Sequence, residues 1–202
     1  MAWLRQLTGP TGRGAAALLI AVAVMLSGCG INTIPTKEET AKAAWSEVQN
    51  QYQRRADLIP NLVNTVKGYA TQEREVLTQV TEARAKATQV QVNANQLTDP
   101  EAIRRFQEAQ AQLSGALGRL LAVSEQYPDL KSNQNFLALQ SQLEGTENRI
   151  TVARRDYISA VQDYNTEVRT FPGRLWATVY SAKPMAAFTT TEENQRPPTV
   201  QF

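Results

Sequence analysis

The sequence contains no histidine and a single cysteine. Without histidine there are no His-based catalytic triads, no imidazole metal ligands and no ordinary general base near neutral pH. The Glu-x-x-His pairs of di-metal carboxylate bundles are excluded with them. One cysteine allows neither an intramolecular disulfide nor a thiolate metal cluster. No stretch alternates apolar and polar residues as a half-buried strand does, and there is no glycine-rich phosphate loop and no long internal repeat. Nothing in these residues calls for a cofactor or a metal. A charge surplus is also missing. The formal net charge is +2, and both surplus cations, Arg5 and Arg13, lie in the first 28 residues, which contain no Asp or Glu. The remaining chain is neutral, which argues against nucleic-acid binding and against a general attraction to anionic surfaces.

The long apolar run is also shorter than a membrane span. Ala15 to Leu26 is 12 residues, after a short basic stretch. A spanning helix needs about 20, so the run suits the core of a signal peptide. It leads into Leu26-Ser27-Gly28-Cys29, which resembles a bacterial lipobox. On that reading residues 1–28 are removed and Cys29 carries diacylglycerol, often with a further acyl chain such as palmitate. Two acyl chains hold a protein at a bilayer stably where one is marginal. An ordinary secretory signal with a chance cysteine, or an uncleaved anchor, are the alternatives. Gly30, where inner-membrane lipoproteins of Gram-negative bacteria commonly have aspartate, leans towards the outer membrane.

Residues 29–36 read as the lipidated cysteine and a linker, with Thr36 and Glu39 spaced as a capping box. From there to about Gln91 the pattern is helical. Trp45, Val48, Tyr52, Arg55, Ile59, Leu62 and Val66 step by three and four, and the seam continues through Tyr69, Glu73 and Val76 to Val80, Ala83 and Ala87. Pro60 removes a backbone donor inside this run and predicts a kink. Thr98-Asp99-Pro100-Glu101 is a helix start. It opens a second helix with Ile103, Phe106, Leu113, Leu117 and Leu120 on one face, where Gly115 and Gly118 suggest a close helix approach or a bend. A third helix from about Ser132 carries Phe136, Leu143, Ile150, Tyr157 and Tyr164, and Phe171-Pro172 ends it.

The expected fold is therefore all-α: an antiparallel bundle of three long helices over residues 37–182, the third followed by a short C-terminal helix through Leu175, Trp176 and Val179. Residues 183–202 read as an extended or disordered tail. At 1.5 Å per residue the first helix would be about 80 Å long and the second about 40 Å. The Trp45–Tyr52 segment would then either project and offer apolar surface to another chain, or pack on the short fourth helix.

Charge on the seam is the main chemical signal. Arg55 falls on it by count, and Arg154 lies beside Ala153. A buried guanidinium needs a carboxylate, for which Asp57 and Glu147 are candidates, with Asn148 next to Glu147. Such a cluster fixes helix register in one reading and lines a polar pocket for a small ligand in the other. Hydrolytic work by paired carboxylates is the third and least specific reading.

Tyr52-Gln53-Arg54-Arg55-Ala56-Asp57-Leu58-Ile59-Pro60-Asn61-Leu62-Val63, Val66-Lys67-Gly68-Tyr69-Ala70, Ala83-Arg84-Ala85, Tyr127-Pro128-Asp129-Leu130-Lys131, Glu147-Asn148, Tyr164-Asn165, Phe171-Pro172 and the closing Pro198-Thr199-Val200-Gln201-Phe202 occur in this order. Together they resemble the LemA family from about residue 33 to near the end. The resemblance implies a mostly helical, membrane-attached protein of the bacterial envelope and carries over no catalytic residues. Many members keep an uncleaved transmembrane helix, whereas this chain has a short run and a lipobox. The expectation is a non-enzymatic lipoprotein, its body on the extracytoplasmic side. It would be held to the membrane by Cys29 and act through helix–helix contacts with a protein partner or with itself.

Overall fold

The computed structural model describes residues 31–188, and the Cys29 expectation lies outside them. The helices are α1 (Thr33–Lys67), α2 (Arg74–Gln89), α3 (Pro100–Ser124), the single turn α4 (Pro128–Lys131), α5 (Gln134–Arg169) and α6 (Gly173–Val179). Among the described residues there is no strand, and no helix is long and apolar enough to cross a membrane.

The frame is the antiparallel pair of α1 and α5, with 35 and 36 residues. Their equal length covers the seam from end to end. Ile34 and Val168 meet in one buried cluster, and Leu62, Phe136 and Leu143 in another. The Trp45–Tyr52 segment therefore does not project. Trp45 is buried against Phe106, Tyr157 and Phe188, and its indole Nε1 donates to Val92 O at 2.8 Å. Helices α2 and α3 form a second hairpin laid on the first.

The expected run from 36 to 91 is divided. It stops at Lys67, turns through 68–73 and resumes as α2. A straight continuation would leave Val80, Ala83 and Ala87 beyond the bundle. Folded back, all three are buried in the cluster that holds Ile59, Leu62 and Leu117. Ala70 is buried in the turn, and Asn133 donates to Tyr69 Oη (2.8 Å) to tie it to the α5 start. At the other end α1 begins at Thr33, earlier than the Thr36 cap expected, because Ile34 is core. Asp99 and Asn133 cap α3 and α5 with their side chains. Gly115 and Gly118 face open space, so no close helix approach explains them.

Pro60 lies inside α1 without ending it. Lacking an N–H, it leaves the Ala56 carbonyl without its helical donor. Arg84 of α2 supplies one, donating from Nε to Ala56 O at 2.8 Å. Arg84→Ala is expected to cost about 1–2 kcal/mol in the wild type, and clearly less in a Pro60→Ala background, where the restored amide serves the same carbonyl. A double-mutant cycle by thermal unfolding measures the coupling. Additivity to within about 0.5 kcal/mol would show the two sites to be independent.

The tail reading changes at its start. Residues 182–188 have no regular secondary structure and form a strap packed on the bundle, with Met185 and Phe188 buried.

Candidate functional site

Arg55 sits where the two apolar clusters meet. Tyr52, Phe106 and Ile150 close one cluster, and Ile59, Leu113 and Leu143 open the other. Between them lies a polar layer drawn from three helices. Arg55 is 1% exposed. Its Nη1 donates to Glu147 Oε1 (2.9 Å) and Ser114 Oγ (2.8 Å), and its Nη2 donates to Gln110 Oε1 (2.6 Å) and Gln110 O (3.3 Å). Gln110 then donates from Nε2 to Ala87 O of α2 at 3.2 Å, so all four main helices are joined at one level. Arg55 Nε has no hydrogen-bond partner, and the guanidinium carbon lies 4.9 Å from the Tyr52 ring centre. Glu147 keeps 43% of its side chain exposed, so water still solvates the anion of the pair.

The sequence-derived candidates divide. Arg55 and Glu147 come together. Asp57 does not join them: positions two apart on a helix face different ways, and its carboxylate is exposed, accepting from Gln53 Nε2 at 2.8 Å. Asn148, one residue past Glu147, is turned out to a groove rim with Glu47 and Arg149. Arg154 lies two turns along α5, with its guanidinium 4.7 Å over the Phe188 ring of the strap and its charge also acting on Tyr52, the ring beside Arg55. Gln110 and Ser114 complete the layer without a mark in the sequence, because neutral polar residues on a helix carry no signal of burial.

A second polar set holds the strap. Asn165 Nδ2 donates to Met185 O, and Asn165 Oδ1 accepts from Met185 N, both at 2.8 Å. The phenols of Tyr157 and Tyr164 donate to Ala186 O (2.8 Å) and Lys183 O (3.1 Å), and Ala186 N donates to Leu97 O (2.7 Å). Burial pushes both phenols above their usual range. It does the same to Tyr52, against the opposing pull of Arg154 and Arg55. All three phenols are neutral at physiological pH, and those of Tyr157 and Tyr164 are the donors to the strap. Seam spacing places these rings in the core and carries no sign of what the Tyr157 and Tyr164 hydroxyls bond. The Tyr164-Asn165 pair was the available signal.

Beside the layer, Gln49, Asn50, Gln53, Phe106 and Gln110 line an open groove of about 240 Å³. Small-molecule pockets run to about 300–1,000 Å³, and Arg55 does not line this one. Among the described residues no group of three or more acidic or cysteine side chains is placed to hold a metal.

Fold and site together define an all-α bundle module that spends its buried charge on joining its own helices. The chain belongs to the LemA family, whose model matches residues 44–202. It is similar to magnetosome proteins MamQ 1 and MamQ 2 of Paramagnetospirillum magneticum, each 28% identical over 157 residues, or 70% of this chain and 58% of theirs. Protein LemA of Metamycoplasma hominis is 26% identical over 140 residues, covering 69% of this chain and 60% of that protein. The chain thus spans 58% of the length of those two MamQ relatives.

Proposed function

We propose that this LemA-family chain is a non-enzymatic lipoprotein of the bacterial cell envelope. Lipid on Cys29 holds the bundle on the extracytoplasmic face of a membrane, where its helical surface contacts a protein partner or a second copy. The observation that carries the reading is the 12-residue apolar run from Ala15 to Leu26 that leads into Ser27-Gly28-Cys29, ahead of the first helix. The interior supports a contact role over a chemical one. The Arg55 guanidinium is occupied by Glu147, Gln110 and Ser114, and the buried phenols are held neutral. The outer α1–α5 seam opens into a groove of about 330 Å³ lined by Glu47, Gln51, Asn148, Arg149 and Val152, among others. This is a mixed charged and apolar strip of the kind a partner helix follows.

Labelled palmitate fed to cells expressing the full chain is expected to enter the wild type and to be absent from Cys29→Ser. Label in both proteins, or in neither, would refute lipid attachment at this cysteine.

A further inference from the structure

Three residues of the α6 region are the most exposed large apolar side chains among the described residues. Phe171 is 81% exposed, Leu175 60% and Val179 70%. Leu175 and Val179 are one turn apart on α6 and share one side, and Phe171 is exposed in the turn just ahead of the helix. Tyr180 is also exposed and Trp176 half-buried beside them. The other side of α6 is fixed. Ala177 is buried in the cluster that holds Ile34 and Val168. Gly173 lies so close to α5 that an added Cβ would come within 2.2 Å of Glu167 O. The apolar side therefore cannot be turned inward by a small rotation.

This patch lies at the end of the bundle where α1 begins, as the shared cluster of Ile34, Val168 and Ala177 shows. Cys29 precedes Thr33 by four residues, a reach of at most about 14 Å. The flanking charge is mainly basic: from Val168 to Phe188 the chain carries Arg169, Arg174 and Lys183 and no Asp or Glu, while the half-buried Glu167 lies just ahead of them, beside Gly173. Exposed apolar side chains with Trp and Tyr beside them and three cations close by in the chain match the interface between lipid headgroups and acyl chains. The strap leads away from this end, since Lys183 meets Tyr164 while Ala186 meets Tyr157, further along α5.

We infer that Phe171, Leu175 and Val179 form a bilayer-contacting surface, seated in the headgroup region of an anionic membrane with Arg169, Arg174 and Lys183 at the phosphates. This rests on the membrane attachment proposed above. It adds a second, non-covalent contact that orients the bundle with its long axis away from the bilayer.

The test uses the full chain in bacterial cells, with the photocrosslinker benzoylphenylalanine installed singly at Leu175, at Val179 or at Leu137. Leu137, 48% exposed, is the control at the opposite end of α5. Membranes are isolated, irradiated and analysed by mass spectrometry, and retention of the protein in the membrane fraction is scored separately. Phospholipid adducts at 175 and 179 with none at 137 are expected. Retention with no adduct at the α6 positions overturns the inference and leaves the attachment standing. So does retention with adducts only to protein, whether a second copy, another chain or residues 189–202 of the same one. Equal lipid adducts at all three positions would mean that the bundle lies flat, and overturn it as well. Loss of the protein from the membrane fraction would remove the attachment and this surface together.

Discussion

Arg55→Ala is expected to destabilise the bundle by about 3–5 kcal/mol, the range for breaking a buried, hydrogen-bonded ion pair. For a domain of this size that lowers Tm by roughly 10 °C. The loss has three sources. The long side chain that fills the gap between the two apolar clusters disappears. Gln110, 6% exposed, loses the donor to its side-chain oxygen. Glu147 loses its cation, although its half-exposed carboxylate can turn to water, which holds the total near the lower end of the range. Glu147→Gln should therefore cost less, about 1–2 kcal/mol, because Gln110 and Ser114 still accept from Arg55.

The sharper form of this prediction is a reversal. A triple variant, Arg55→Met with Gln110→Leu and Ser114→Ala, removes the charge and its neutral partners together. Replacing a buried polar cluster by apolar groups of similar volume is often neutral or stabilising, so its Tm should recover to the wild-type value or above. If the layer serves to fix register, recovery of stability should come with a looser assembly of helices, read as weaker near-ultraviolet dichroism from Trp45 and Tyr52. An Arg55→Ala loss below about 1 kcal/mol would show that the layer contributes little to holding the four helices.

This layer was half legible in the sequence. Seam counting placed Arg55 inside, because steps of three and four fix which side of a helix a residue takes. The same arithmetic, applied at short range, rules out Asp57, two residues away and on another face. Choosing Glu147 needed the α1–α5 register, which no single helix contains. The break at 68–73 was hidden for a related reason. Tyr69, Glu73 and Val76 carry the heptad count straight across it, so a turn that preserves phase leaves no mark in the periodicity. The α3 start was easier, because Asp99-Pro100 acts locally, through a fixed φ and a side chain that reaches its own backbone. The strap was the least legible element. A segment without regular secondary structure has no period to detect, and its partners, Tyr157, Tyr164 and Asn165, lie 19 to 29 residues upstream.

Phe188→Ala should separate the strap from the rest of the fold. Its ring is 7% exposed, with centres 5.7 Å from Trp45 and 5.4 Å from Tyr157, and it takes the Arg154 guanidinium on its face. Truncating a buried phenylalanine costs about 3–5 kcal/mol where the chain cannot relax. Here it can, because the strap lies outside the helices and undocks more readily than they unfold. The expected result is local: hydrogen exchange at the Met185 and Ala186 amides, bonded to Asn165 Oδ1 and Leu97 O, accelerates by roughly a hundredfold, about 2.7 kcal/mol of local stability. Exchange at Leu117, in the other apolar cluster, stays near its wild-type rate. That contrast distinguishes the two devices. The Arg55 layer joins all four main helices, so its loss should raise exchange in both clusters, whereas Phe188 reports on one. Equal acceleration at Leu117 and Met185 would mean that the strap is an integral part of the cooperative core. Unchanged exchange at Met185 would mean that Asn165 and the two tyrosine hydroxyls hold the strap without the ring.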